Sequence, residues 1–272
     1  MRQLLFPQLT AFLLLLPFGA PARAEVIYNN GGPDRAHGSE MTQFIEADDF
    51  ELTHATRLDQ VTFWSAERAN SFAGSFTWEI FANSDDDSPG RLILSGTSAN
   101  LSRGATGAAA SGGYPEYVNT FDLGSVALPA GTYWVALHNG PLTNSTPALS
   151  VFWETTSNIG ERASHGAISP LYQSWFSNEW PTLPSELAFF TNGVPLPRIT
   201  SLDFSSGIAR ISFTSTAGEH YRVEYTNSLT APSWATLPGA DTLPGTGGIV
   251  QFNDPQANVR SLARRFYRVV LL

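Results

Sequence analysis

Gly131-Thr-Tyr-Trp-Val-Ala-Leu-His138 is the stretch that decides the fold. A β-strand turns successive side chains to opposite sides, so Tyr133, Val135 and Leu137 share one face while Trp134, Ala136 and His138 share the other. Large side chains on both faces predict a central strand that is covered on both sides. Working outward, runs of Val, Ile, Phe, Tyr, Trp and Thr recur between Gly, Pro, Asn and Asp turns, and no long 3.6-residue periodicity appears. Candidate strands fall near 26–28, 42–52, 57–65, 75–82, 92–98, 116–122, 131–138, 149–155 and 187–191. About nine strands at that spacing predict an all-β, two-sheet jelly-roll-like sandwich over residues 25–193.

A second body follows. Val194-Pro195-Leu196-Pro197 carries two prolines and reads as a stiff connector, placed at 194–198. Residues 199–272 show strands near 199–204, 209–214, 220–225, 249–252 and 266–271, with turns at Thr216-Ala-Gly218 and Gly245-Thr-Gly-Gly248. These predict a small immunoglobulin-like or fibronectin-like sandwich. Tyr221-Arg-Val-Glu-Tyr225 alternates a core face with a charged one. Arg264-Arg-Phe-Tyr-Arg268 reads as a solvated strand edge.

The first 24 residues have the pattern of a secretory signal peptide: Arg2, then Ala11–Phe18, then Ala22-Arg-Ala24 before a cleavage point. Pro7, Gln8 and Pro17 interrupt the apolar stretch, which falls short of the roughly 20 residues of a membrane-spanning helix. The expectation is a secreted protein, periplasmic, outer-surface or extracellular, with no membrane insertion after cleavage.

Charge divides with the bodies. The chain has a formal net charge of −9. Residues 25–193 hold nineteen acids against six arginines, and residues 194–272 five against seven. An acidic large domain argues against nucleic acid or anionic lipid as partner, since both require a basic face. The chain has no Cys and no Lys. That excludes disulfides, thiolate chemistry, a P-loop lysine, Schiff-base catalysis and a Ser-Lys dyad.

Several motifs carry a resemblance. Tyr28-Asn-Asn-Gly-Gly-Pro33, Ala47-Asp-Asp-Phe-Glu-Leu52, the strand at 57–64, Gly131-Thr-Tyr-Trp134, Leu137-His-Asn139 and Phe152-Trp-Glu154 resemble uncharacterised secreted β-sandwich proteins of Gram-negative bacteria, many of which end in a PEP-CTERM sorting signal. His220-Tyr-Arg-Val-Glu-Tyr-Thr226, Trp234, Pro238-Gly-Ala-Asp241, Gly245-Thr-Gly-Gly248 and Arg265-Phe-Tyr-Arg268 look like a small domain that closes many secreted planctomycete or verrucomicrobial proteins. The resemblance implies fold and export. The chain departs from the sorting-signal pattern, because Arg268-Val-Val-Leu-Leu272 contains no Pro-Glu-Pro.

The candidate chemistry begins with acids. In a strand, Glu46-Ala-Asp-Asp-Phe-Glu51 puts Glu46 and Asp48 on one face and Asp49 and Glu51 on the other, a set suited to turn capping, Ca²⁺ contact or a carboxylate pair. Asp85, Asp86 and Asp87 cluster in Asn83–Gly90, where hard oxygen ligands suit Ca²⁺ and the same residues suit a hairpin turn. Asn30 and Asp34 offer a similar oxygen set for a structural calcium. The five histidines show no HxH or HExxH pairing, which gives zinc no support. No GxSxG elbow occurs either. His138 reads as a hydrogen-bonded core or rim residue.

Aromatic residues give the functional expectation. Trp64, Trp78, Trp134 and Trp153 fall in strands and read as core. The long loops are 103–115, rich in small residues and read as a flexible excursion, and 160–185, which holds Tyr172, Trp175, Asn178, Glu179 and Trp180. Exposed rings beside amide and carboxylate groups stack on sugars and bond their hydroxyls, whereas a loop folded back as a lid would bury them. The reading is a secreted, non-catalytic protein that binds a polysaccharide or cell-envelope glycan. Its alternatives are a structural envelope or matrix component without a small-molecule ligand, and a glycan hydrolase using Glu46, Asp48 or Glu154.

Overall fold

The computed structural model describes residues 25–143, 150–157, 163–167, 180–204, 208–254 and 264–272. It is all-β, and the larger body is a sandwich of two antiparallel sheets. The seven-stranded sheet runs β1 (Glu25–Asn29), β12 (Phe189–Pro195), β4 (Thr56–Glu67), β10 (Val151–Thr156) and β2 (Pro33–Glu40). On the other edge of β4 lies β8 (Pro115–Leu128), followed by β7 (Ala99–Ala109). The five-stranded sheet runs β11 (Ala163–Ala167), β3 (Phe44–Leu52), β9 (Gly131–Asn139), β5 (Phe76–Asn83) and β6 (Pro89–Thr97). From β2 to β5 and from β8 to β12 every step of the chain changes sheet, in the jelly-roll manner.

The period-two pattern sets the interior. Phe50 and Leu52 of β3, Val61 and Phe63 of β4, Phe76 and Ile80 of β5, Phe121 of β8, Val135 and Leu137 of β9, and Val151 and Trp153 of β10 are all buried between the sheets. Burying each such side chain contributes roughly 1.5–3 kcal/mol, so the sandwich needs no covalent staple. The central place expected for the 131–138 strand is observed: β9 lies between β3 and β5. Its second face is covered too, since Trp134 and Ala136 pack with Ile45, Ala47 and Phe81 beneath Leu142 and Trp180.

Three parts of the chain differ from the pattern reading. Residues 103–109 belong to β7 rather than to a flexible excursion, because Ala, Gly, Ser and Thr carry no alternation signal yet pair their backbone with β8. The polar segment Pro33–Glu40 forms an edge strand on β10. Val194 and Pro195 continue β12, opposite Arg57 and Thr56, so the connector narrows to the residues that follow.

The smaller body has its own interior of Ile211, Phe213, Tyr221, Val223, Leu237 and Ala240. One of its sheets is β13 (Ile199–Asp203), β14 (Arg210–Thr214) and β18 (Ile249–Asn253). The other centres on β15 (His220–Thr226), flanked by β16 (Ala235–Thr236), β17 (Leu243–Pro244) and β19 (Phe266–Leu271). Glu224 accepts from Arg222 and Arg268, each at 2.7 Å. Burial opposes ionisation of its carboxyl, but the two guanidinium hydrogen bonds win and hold it below the ordinary carboxylate range. Arg265 is not a solvated edge residue: it is buried, bonds Asp254 at 2.5 Å and lies over the Tyr225 ring.

Candidate functional site

Among the described residues, the expected site residues do not form one place. Asp85, Asp86 and Asp87 are exposed in the turn joining β5 to β6, which their own side chains brace: Asn83 donates to Asp87 at 3.0 Å and Ser84 to Asp86 at 2.6 Å. The backbone of Asp87 is left-handed, a conformation Asp tolerates in turns. Asp34 accepts from the Ala36 amide and the Thr155 hydroxyl. Asn30 is buried elsewhere. Tyr172, Trp175, Asn178 and Glu179 lie outside the described residues. Trp180 is half-buried with its ring edge-on to Phe81, centroids 5.4 Å apart.

Asn30 leads to an acidic group. Its amide donates to Asp48 at 2.9 Å, to the Leu187 carbonyl at 3.0 Å and to Glu186 at 3.4 Å. Asp48 also accepts from the backbone amides of Leu187 and Asp49. Oxygens of Asp48, Asp49 and Glu186 lie within 4.8 Å of one another, so among the described residues this is the group whose spacing suits a hard cation. Burial, with Glu186 beside it, pushes the Asp48 carboxyl well above the ordinary carboxylate range, and the alternative tenant is a shared proton. Sequence reading found Asn30, Asp48 and Asp49 but not Glu186, which lies 138 positions beyond Asp48 and carries no local motif.

The outer face of the seven-stranded sheet is a second, different arrangement. Alternation turns Phe63, Phe121 and Trp153 inward, and therefore turns Trp64 and Ala66 of β4, Glu116 and Val118 of β8, Phe152 and Glu154 of β10, and Phe190 of β12 outward. Trp64 is accordingly not core. It is half-buried and edge-on to Phe190 at 5.9 Å, while Phe152 stacks on Tyr114 at 5.7 Å and 24°. A cavity of about 200 Å³ opens between this stack and β2, with His37, Gly38 and Ala66 in its wall. Gly38 is required there, because a Cβ would sit 2.9 Å from that of Phe152.

Arg35 spans this face. Held in a left-handed backbone conformation (φ 62°), it reaches from β2, past β10 and β4, to clasp Glu116 of β8 at 2.8 and 3.2 Å. A non-glycine residue in that region stores backbone strain, which here aims a guanidinium across the sheet. Beneath lies Glu154, directly opposite Gly38 and fully buried, with neither carboxylate oxygen bonded among the described residues. Burial first, then the charge of Glu116, pushes its carboxyl up to about 7. Sequence reading named Glu154 for a hydrolase but did not single out Arg35 or Glu116. No protein-family model and no curated protein matches the chain.

The raised carboxyl predicts a pH dependence. A folded-state value of about 7 against an ordinary one near 4.5 means that the folded chain binds the extra proton between those limits. Stability from this group is therefore full below about pH 4.5 and lost as pH rises through 7. Denaturant melts should show Glu154→Gln losing less stability than the parent between pH 5 and pH 8, by about 1–3 kcal/mol. Equal losses in both proteins would refute the assignment of that proton to Glu154.

Proposed function

We propose that the protein is an exported, non-catalytic β-sandwich protein whose larger sandwich binds a polysaccharide or cell-envelope glycan. The observation that carries this reading is the half-exposed aromatic row Trp64, Phe190, Phe152 and Tyr114, set beside carboxyl groups and an arginine on one sheet face. Flat rings stack on the apolar faces of pyranoses, and the neighbouring charged groups bond hydroxyls, so the protein's acidity is no obstacle to a neutral sugar. Export is supported by the composition of residues 1–24, and no helix among the described residues is long and apolar enough to cross a membrane. In pull-downs on insoluble polysaccharides, a Trp64→Ala/Phe152→Ala double variant is expected to bind at least about tenfold more weakly, the loss of two stacking contacts. Undiminished binding by a folded double variant would place the site elsewhere.

A hydrolase is the second reading, favoured by a single fact. Glu154, with its raised carboxyl, and Glu116, clasped by Arg35, share the face, and a general acid near neutral pH needs such an elevation. Reducing-sugar release from a glycan, abolished in both Glu154→Gln and Glu116→Gln, would establish it.

A further inference from the structure

Three other buried carboxyls of the larger sandwich have donors. Glu67 receives Ser65 and Arg103, Glu116 receives Arg35 and Thr106, and Asp48 receives Asn30 with two backbone amides. Glu46 leaves one oxygen without a donor. Glu154 leaves both, in a fully buried side chain at the strand position paired with Gly38; Gly38 lines the cavity and Glu154 itself does not. An unmet buried acceptor costs about 1–3 kcal/mol, more when charged. Folding alone gains nothing from placing a carboxyl there.

The surroundings of Glu154 are acidic and aromatic. From β8 comes Glu116; from β2 come Asp34 and Arg35, with His37 on the cavity wall; from β4 come only Trp64 and Ala66, and from β10 itself Phe152. Three carboxyls therefore face one guanidinium, and that guanidinium is already held two-pronged by Glu116. That arrangement is complementary to a cation carrying hydrogen-bond donors. Its walls are aromatic, which also favours a cation lying against a ring face. A cavity of about 200 Å³ is below the usual range for drug-sized ligands, and so suits one ring or a single head group.

We propose that this cavity takes an amino-sugar unit with a free ammonium, with the Phe152 and Tyr114 rings of its wall as stacking surfaces and Glu154, next to it on the same sheet face, as the counter-ion of that ammonium. The inference rests on the carbohydrate reading above and narrows it to a cationic class. Arg35, whose side chain is 49 % exposed, covers Glu154, so reaching the carboxyl requires the ammonium to displace this guanidinium from its two bonds to Glu116. The incoming ammonium supplies the three N–H donors that the carboxylate lacks.

The test is a calorimetric titration of the whole chain from residue 25 at pH 6.5, using a β-1,4-linked glucosamine tetramer, its fully N-acetylated counterpart and a neutral glucose tetramer of the same linkage. The free-amine tetramer is expected to bind at least about tenfold tighter than the other two, as a charge-assisted bond replaces a neutral one. Glu154→Gln should abolish that preference, whereas Glu51→Gln, removing an exposed acid elsewhere, should leave it intact and so exclude general attraction to an acidic surface. Should Glu154→Gln not fold, the carboxyl carbon resonance of Glu154 in the parent protein serves instead, titrating at lower pH when the free-amine tetramer is bound. Equal affinity for the three tetramers, or a preference that survives Glu154→Gln, overturns the inference. Binding confined to the neutral or acetylated tetramers and lost in Trp64→Ala/Phe152→Ala also overturns it while leaving carbohydrate binding standing. Binding of none of the three overturns it, and the pull-downs on insoluble polysaccharides then decide the broader carbohydrate reading by themselves.

Discussion

Replacing Trp153 by alanine is expected to lower the stability of the larger sandwich by about 3–5 kcal/mol, the range for deleting a large aromatic from a close-packed core. Its ring is fully buried, edge-on to Phe63 and to Phe189, each with centroids 5.7 Å away. Collapse into the vacated space is limited, because Phe63 is itself wedged against Phe76 at 4.9 Å and Phe121 at 6.3 Å. The substitution also strips a donor from the Ala188 carbonyl, which the indole nitrogen meets at 2.9 Å. An orphaned buried acceptor adds about 1 kcal/mol or more. Domains are stable by only about 5–15 kcal/mol in all, so a single ring holds a large part of the total. Trp64 is the internal control: it lies on the strand next to that of Trp153 but on the other face, and its loss should cost less than half as much. Urea unfolding followed by circular dichroism measures both. Similar losses for the two variants would show that the assignment of faces is wrong.

That comparison also marks the limit of what the sequence reveals. Alternation in Gly131–His138 correctly predicts a two-faced central strand, because period two is a property of one strand and needs no neighbour. The same alternation in Arg57–Ser65 tells which residues share a face. It does not tell whether that face meets a second sheet or solvent, and Trp64 therefore reads as core when it lies half-buried on the outer face. Strands β2 and β7 are illegible for a related reason. Their Pro, Asp, Gly, Ser and Ala residues have no preference for extended structure, and pairing to β10 and β8 alone holds them there.

The candidate sites were legible in pieces. Asn30, just after β1, and the paired acids Asp48 and Asp49, in the middle of β3, announce themselves locally, yet Glu186 reaches them only through the placement of the segment that precedes β12. Glu154 is visible in Phe152-Trp-Glu154 as a strand acid. Its role depends on Arg35, 119 positions earlier, and on Glu116, and no local pattern encodes a strap that crosses two strands. A local sign does exist in retrospect: Gly38 in the polar stretch Pro33–Glu40 marks a close backbone approach, which is where β2 meets β10.

Gly245→Ala is expected to unfold the smaller body while leaving the larger sandwich folded. The turn Gly245-Thr-Gly-Gly248 uses its glycines for different purposes. Gly247 needs its left-handed backbone (φ 77°), and a Cβ there would make only ordinary contact with Ala217, 3.5 Å away. Gly245 needs space: a Cβ there would lie 2.0 Å from the Thr216 carbonyl oxygen and 2.9 Å from the Tyr221 ring. Neither obstacle yields easily. The Tyr221 hydroxyl accepts the Thr216 amide at 2.8 Å, its ring is fully buried against Phe213, and the Gly245 amide donates to the Glu219 carbonyl at 2.8 Å. A methyl group must therefore part β15 from the 216 turn or break one of these bonds. Overpacking of this kind costs about 1–3 kcal/mol where side chains can give, and more where backbone must move. A body of some seventy residues has little stability in reserve, so that cost removes most of it. Calorimetry of the whole chain should show the smaller body's transition shifted far down or lost, with the larger sandwich melting as before. Gly247→Ala, meeting strain of about 1–2 kcal/mol but no overlap, should shift that same transition less. If the two variants melted alike, the tight approach at Thr216 would not be what holds Gly245 in place.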